Sequence, residues 1–244
     1  MNNRLYALVM AAMILFVPLV AFGSNLSTNI SPLSSQNVEG NPRSEFPGDT
    51  VIQLPDPNFE AAVRELISKL KGDILASDVA EISELDVDEL DIADLTGIEY
   101  FTALEVLSCA ENQLTTLDVS HNPALIMLSC EYNQLTMLDV SQNPVLEVLG
   151  CGLNQLTTLD VSQNTALKGL YCWGNQLTTL DVSHNTALEV LNCAGNQLTT
   201  LDVSHNIALV RLYCNNNLLP NKSAIIGLDE NRPVYLSFDL QNVW

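Results

Sequence analysis

Leu104-Glu105-Val106-Leu107-Ser108-Cys109-Ala110-Glu111-Asn112-Gln113-Leu114-Thr115-Thr116-Leu117-Asp118-Val119-Ser120-His121-Asn122 is a unit that restarts every 21 residues. Cysteine keeps that step at Cys109, Cys130, Cys151, Cys172, Cys193 and Cys214, and asparagine keeps it at Asn112, Asn133, Asn154, Asn175, Asn196 and Asn217. A fixed period of this length marks a solenoid of stacked coils. In such a fold the core grows by stacking, so the 244 residues set the number of coils rather than the number of domains.

Within each unit the residues around Leu107 and Cys109 alternate as a short strand does. Leu107 and Cys109 face inward, while Val106, Ser108 and Ala110 face outward. Six such strands, with an irregular one at each end, predict about eight coils in parallel register, ~4.8 Å apart. The asparagine that follows sits where the chain leaves the strand. A buried carboxamide both donates and accepts, so it can bridge its own turn and that of the next coil. Leu117-Asp118-Val119-Ser120 then turns the chain back, with Leu117, Val119 and Leu125 inward. Asp118, Asp139, Asp160, Asp181 and Asp202 form a column on the return side, expected to accept bonds from nearby backbone or hydroxyl groups.

Six cysteines in an exported chain ordinarily suggest disulfides. Here neighbouring cysteines lie side by side on parallel strands, farther apart than the ~3.8 Å between Cβ atoms that a disulfide needs. Buried free thiols are therefore expected, packing as small apolar groups. A linear file of sulfurs cannot make the tetrahedron that zinc requires. No cofactor and no metal is expected.

Outside the repeats, Met1 to Gly23 carries Arg4, an apolar run from Leu5 to Phe22 and small residues at its end, and reads as an export signal. An uncleaved N-terminal anchor is the alternative. Residues 24–50 are rich in Ser, Asn and Pro and read as a linker. Residues 51–84 read as a helical cap. Asp56 can cap a helix that begins at Pro57 and presents Phe59, Val63, Leu66, Ile67 and Leu70 before ending at Lys71-Gly72. A second short helix is expected after Ser77. Residues 85–217 hold the repeats, the first of them, Leu85 to Phe101, degenerate and one residue longer. Residues 218–244 close the far end with a last strand at Val234 to Phe238.

The formal charge of −20, from 29 acidic and 9 basic residues, argues against nucleic acid, whose phosphates need a basic stripe. It also disfavours anionic lipid surfaces. The acidic run from Asp78 to Asp94 lacks the glycine and the closing glutamate of a helix-loop-helix calcium site and reads as a coil with an acidic outer face. Asp118-x-Ser120-His121 superficially suggests a hydrolytic triad, but Gln142 and Gln163 replace the histidine in other coils. Adjacent Ser and His side chains are expected to point apart, and a triad needs convergent geometry. An enzyme is not expected.

The motif Leu-x-x-Leu-x-Cys-x-x-Asn-x-Leu-x-x-Leu resembles the leucine-rich repeat. Its 21-residue period, its Leu-Asp-Val-Ser-x-Asn return and the Leu54-Pro55-Asp56-Pro57-Asn58-Phe59 entry are similar to the bacterial internalins, in particular their cysteine-ladder branch. That resemblance implies an α/β leucine-rich-repeat solenoid with a parallel strand ribbon, a short helical N-terminal cap and a mostly irregular convex side. It also implies a secreted, periplasmic or cell-surface protein that binds host proteins or mucin-like glycans through its concave face. A wall anchor and further domains are not found in this sequence.

Solenoids bind along the strand ribbon, where outward positions vary while inward ones do not. Tyr132, Leu153, Tyr171, Trp173, Arg211 and Tyr213 stand out there, because Tyr, Trp and Arg dominate binding hot spots. The competing reading lets Tyr171 and Trp173 merely fold over Gly150 and Gly152. The expected partner is a protein or a glycan bound by a monomer, with a non-catalytic scaffold or adaptor as the alternative.

Overall fold

The computed structural model describes residues 49–228 and 234–238. The expected export signal, and the expected linker up to residue 48, lie outside the described residues.

Eight strands form one parallel sheet: β1 (Glu84–Asp86), β2 (Val106–Ser108), β3 (Met127–Ser129), β4 (Val148–Gly150), β5 (Gly169–Tyr171), β6 (Val190–Asn192), β8 (Arg211–Tyr213) and β10 (Tyr235–Ser237). From β2 to β8 the register pairs each leucine with the leucine one period on, Leu107 with Leu128 and so along to Leu191 with Leu212. Glu84 pairs with Val106, so the first coil carries the extra residue that its sequence suggests. The return side is mostly irregular. It holds an isolated bridge between Asp118 and Asp139, and a short parallel pair of β7 (Leu201–Asp202) with β9 (Ile225–Ile226). That pair was not foreseen: Ile225-Ile226 reads as part of an apolar cluster, yet its backbone adds a rung to the return side. This is a parallel β-solenoid of the leucine-rich-repeat class.

The asparagine ladder ties coil to coil. Asn154 donates from Nδ2 to the carbonyls of Cys130 in the preceding coil (3.0 Å) and of Cys151 (3.2 Å) and Gly152 (3.3 Å) in its own. Its Oδ1 accepts from the N–H of Leu135, again in the preceding coil, at 2.9 Å. Asn133, Asn175 and Asn196 repeat the pattern. Each rung thus reaches back to the previous coil rather than on to the next. A second file, Asn122, Asn143, Asn164, Asn185 and Asn206, is fully buried. Asn143 is typical, donating to Val119 O (3.0 Å) and Asn122 O (2.9 Å) one coil back. Among the described residues the carboxamide oxygens of Asn122, Asn143, Asn164 and Asn185 find no partner, so these four act through their donors.

None of the six cysteines is in a disulfide, and all are buried among the leucines. Burial pushes each of them up, Cys214 to about 12. They stay protonated near neutral pH and serve as packing, since the thiolate is the reactive form.

The N-terminal end is closed by helix α1 (Pro57–Leu66) and a single turn, α2 (Ala76–Val79). Asp56 caps α1 with Oδ1, accepting from Asn58 and Phe59, and joins it to the first coil with Oδ2, accepting from Ala93 and Asp94. Burial alone would raise this carboxyl, but the four backbone amides outweigh it and hold it below its usual range. Helix α1 ends a turn earlier than its apolar spacing predicts. Ser68 adopts φ 54°, Lys69 N–H bonds to Arg64 O and Ser68 N–H to Glu65 O, a Schellman stop built on serine instead of glycine. Phe59 and Val63 are therefore buried, while Leu66 and Leu70 are exposed. The second helix begins at Ala76, ahead of the expected start.

Asn154→Ala is expected to cost about 2 kcal/mol, because it leaves the buried Leu135 N–H without a partner and takes from Cys130 O one of its two amide donors, the other being Asn133 Nδ2. Asn154→Asp should cost at least as much, since a carboxylate cannot donate. The urea midpoint of each variant measures this.

Candidate functional site

The outer face of the ribbon carries the residues that differ from coil to coil. Register places Ser108, Ser129, Gly150, Tyr171, Asn192 and Tyr213 in one file. One residue before each ladder asparagine the backbone turns left-handed, at Glu111, Tyr132, Leu153, Gly174, Gly195 and Asn216. Glycine takes this conformation freely, whereas other residues lose about 1–2 kcal/mol in it. Tyr132 (φ 54°) and Leu153 (φ 49°) occupy it with large side chains that remain exposed.

The structure brings Tyr132 and Trp173 together across two coils, edge to face with ring centroids 5.7 Å apart. The Trp173 indole lies over Gly152, where a Cβ would collide with Nε1. Leu153 leans the other way, onto Gly174, where a Cβ would lie 2.7 Å from Cδ2. The space over Gly150 is filled by Glu131, beside Tyr171. Tyr171 leans over Gly169 on its own strand, and it is 8% exposed. Burial pushes its phenol up, with Arg211, Tyr213 and Glu131 close enough to act on it. Tyr213 packs on Tyr235 of β10, centroids 5.5 Å apart. Of the six expected residues the structure thus joins Tyr132 to Trp173 and leaves Leu153 on Gly174, while Tyr171, Arg211 and Tyr213 lie near one another farther along the ribbon.

Two participants were missed from sequence. Tyr235 comes from the irregular last strand, whose pairing no period announces. Glu131 fills the space over Gly150, is 5% exposed and accepts from Ser129 Oγ at 2.6 Å. Burial pushes its carboxyl up. The available signal was the glycine one coil on, which leaves room for a long neighbour. Farther along the ribbon Asp88 accepts from Ser108 Oγ (2.8 Å) and Ala110 N (2.6 Å). Its carboxyl is pushed up to about 6, by burial first and then by the charges of Asp86 and Glu131.

The return side offers no comparable group. A hollow of ≈ 690 Å³ there is lined by Asp94, Thr96, Glu99, Asp118, His121 and Asp139 among others. Each aspartate of the column is held below the usual carboxylate range by the hydroxyl and backbone N–H of the serine two residues on. Ser120 Oγ and His121 Nδ1 meet at 3.1 Å, and Ser204 and His205 at 3.2 Å, so the expectation that they point apart is corrected. The turn folds the two neighbours toward each other. Asp118 holds Ser120 rather than the imidazole, so the order of contacts is not that of a triad. Among the described residues no group of His, Cys, Asp and Glu is arranged to hold a metal, and no helix is long and apolar enough to cross a membrane.

The family profile described as the leucine-rich-repeat domain of endo-beta-N-acetylglucosaminidase EndoS matches residues 54–185, just over half of the chain. Internalin J of Listeria monocytogenes serotype 4b (strain F2365) is 39% identical over 70 residues, 28% of this chain and 8% of that protein. The functional domain of InlJ from Listeria monocytogenes, whose structure includes a cysteine ladder, superposes with a TM-score of 0.63 at 38% identity. That match covers 75% of this chain and 45% of the other. Internalin C2 of the same species has the same fold, with a TM-score of 0.57 at 19% identity over 77% of this chain and 94% of its own. The chain therefore spans less than half of the internalin J it is similar to.

Asp88 supplies a pH dependence. Its folded-state value of about 6 lies above its ordinary 3.8, so the folded chain keeps a proton that the unfolded chain releases. The charged carboxylate opposes folding above about pH 6, and the penalty is relieved as pH falls through that range. Asp88→Asn is expected to raise the melting temperature near pH 8, and the gain should disappear by about pH 4 in calorimetric scans.

Proposed function

The chain belongs to the leucine-rich-repeat family of the EndoS repeat domain and is of internalin type, and on that footing we propose that it is an exported, non-catalytic, adhesin-like binding protein. It acts as a monomer and recognises a protein or glycan with the outer, concave face of its strand ribbon. The observation that carries this reading is the Tyr132–Trp173 pair, with Leu153, Tyr171, Arg211 and Tyr213 on the same outer face of an otherwise regular scaffold. Aromatic and arginine side chains held this way present large contact area at little entropic cost.

Backbone strain supports the same face. Gly174 and Gly195 take the left-handed position without cost, yet Tyr132 and Leu153 stand at equivalent positions. Strain of about 1 kcal/mol each is retained where a protruding side chain is wanted. Export rests on the pattern of Arg4 followed by the apolar run from Leu5 to Phe22.

The test is binding of the full chain to arrayed glycans and to arrayed extracellular proteins. Trp173→Ala combined with Tyr171→Ala is expected to weaken the strongest interaction at least tenfold while the urea midpoint stays in the folded range. Binding that survives the double variant unchanged would overturn the assignment of this face.

A further inference from the structure

Glu131 is the anomaly on the outer face. A carboxylate that is 5% exposed ordinarily has a cation beside it or several donors upon it. Here Ser129 Oγ reaches Oε2. The ion pairs among the described residues lie elsewhere, at Arg64–Glu60, Lys69–Asp78 and Lys168–Glu147. Nothing about the strand forces this burial, because the carboxylate occupies room that Gly150 leaves open, and a Cβ at that position would collide with it.

Its surroundings are aromatic. Gly150 and Gly152 lie two residues apart on one face of the same strand segment, with the Glu131 carboxylate above the first and the Trp173 indole above the second. Tyr132 meets that indole edge to face, and Tyr171 is the partner of Gly150 on the next strand, beside the space that Glu131 fills. A buried anionic oxygen attracts a cation by its charge, and electron-rich rings grouped beside it favour the same sign. The rest of the chain reinforces that sign, with a formal charge of −20 and with Asp86 and Asp88 on the same ribbon.

The shape of the cation follows from the carboxylate. Ser129 takes one lone pair of Oε2, which leaves this carboxylate less open to the paired grip of a planar guanidinium than one standing alone. A compact ammonium on an aliphatic stem needs only one oxygen, and its stem packs along the rings. Resting on the binding-face reading above, we propose that the recess formed by Glu131, Trp173, Tyr132 and Tyr171 receives a lysine side chain of a protein partner.

The experiment follows the indole N–H resonance of Trp173 in the ¹⁵N-labelled full chain, distinguished from that of Trp244 by Trp173→Phe. Three probes are titrated: Nα-acetyl-lysine methylamide, its arginine counterpart and its norleucine counterpart. The lysine probe is expected to shift the resonance saturably, the arginine probe to bind at least fivefold more weakly, and the norleucine probe to leave it unmoved. Glu131→Gln should abolish the lysine response with an unchanged circular dichroism spectrum. Ser129→Ala, which frees Oε2, should narrow the preference for lysine over arginine, and it keeps the test decisive should Glu131→Gln fold poorly. Equal responses to lysine and norleucine, equal responses to lysine and arginine, or a lysine response untouched by Glu131→Gln would each overturn the proposal. Failure here, with array binding still dependent on Trp173 and Tyr171, sinks the lysine pocket alone. Array binding indifferent to both residues sinks the binding face itself.

Discussion

A tightly wound chain must satisfy the polar backbone groups that its turns bury, and the asparagine ladder is how this protein does so. Each coil leaves its strand through a left-handed residue, which sets carbonyls and an N–H inward and away from water. One carboxamide per coil reaches all of them, on its own turn and on the turn before. Because the side chain is short, the coils must keep both spacing and register for it to reach. The 21-residue period, the parallel sheet and the inward file of leucines and thiols all depend on that reach. A second file of asparagines ties the far corner of each coil to the one before through its amide donors.

With the interior fixed in this way, the outer face can vary at little risk to the fold. Glycine is the means by which it varies. Gly150 makes room for a buried carboxylate, and Gly152 for an indole that reaches back two coils to Tyr132. Substituting small residues in one coil thus shapes the relief contributed by its neighbours. The return side shows the opposite economy, with its aspartates and serines consumed in local turns.

Where expectation and structure part, the cause is local geometry that a pattern of residue types does not carry. Helix α1 stops at Leu66 because Ser68 takes a conformation usually left to glycine, so the apolar spacing that continues to Leu70 is not a buried face. Ser120 and His121 meet because the return turn is tight, although neighbouring side chains ordinarily diverge. Glu131 fills the space over Gly150, and the Tyr171 ring lies over Gly169 on its own strand.

Period and residue type alone determined the strand ribbon, its parallel register and the inward cysteines, and they pointed to six outward residues as a candidate face. They suffice because identical units can stack in only one register that keeps every leucine inside. Tertiary structure alone decided which of those outward side chains touch, that Glu131 and Tyr235 join them, and that Asp88 is an acid near neutrality. Repetition fixes where each Cα lies, but a long side chain chooses its direction from whatever space the coils on either side leave vacant.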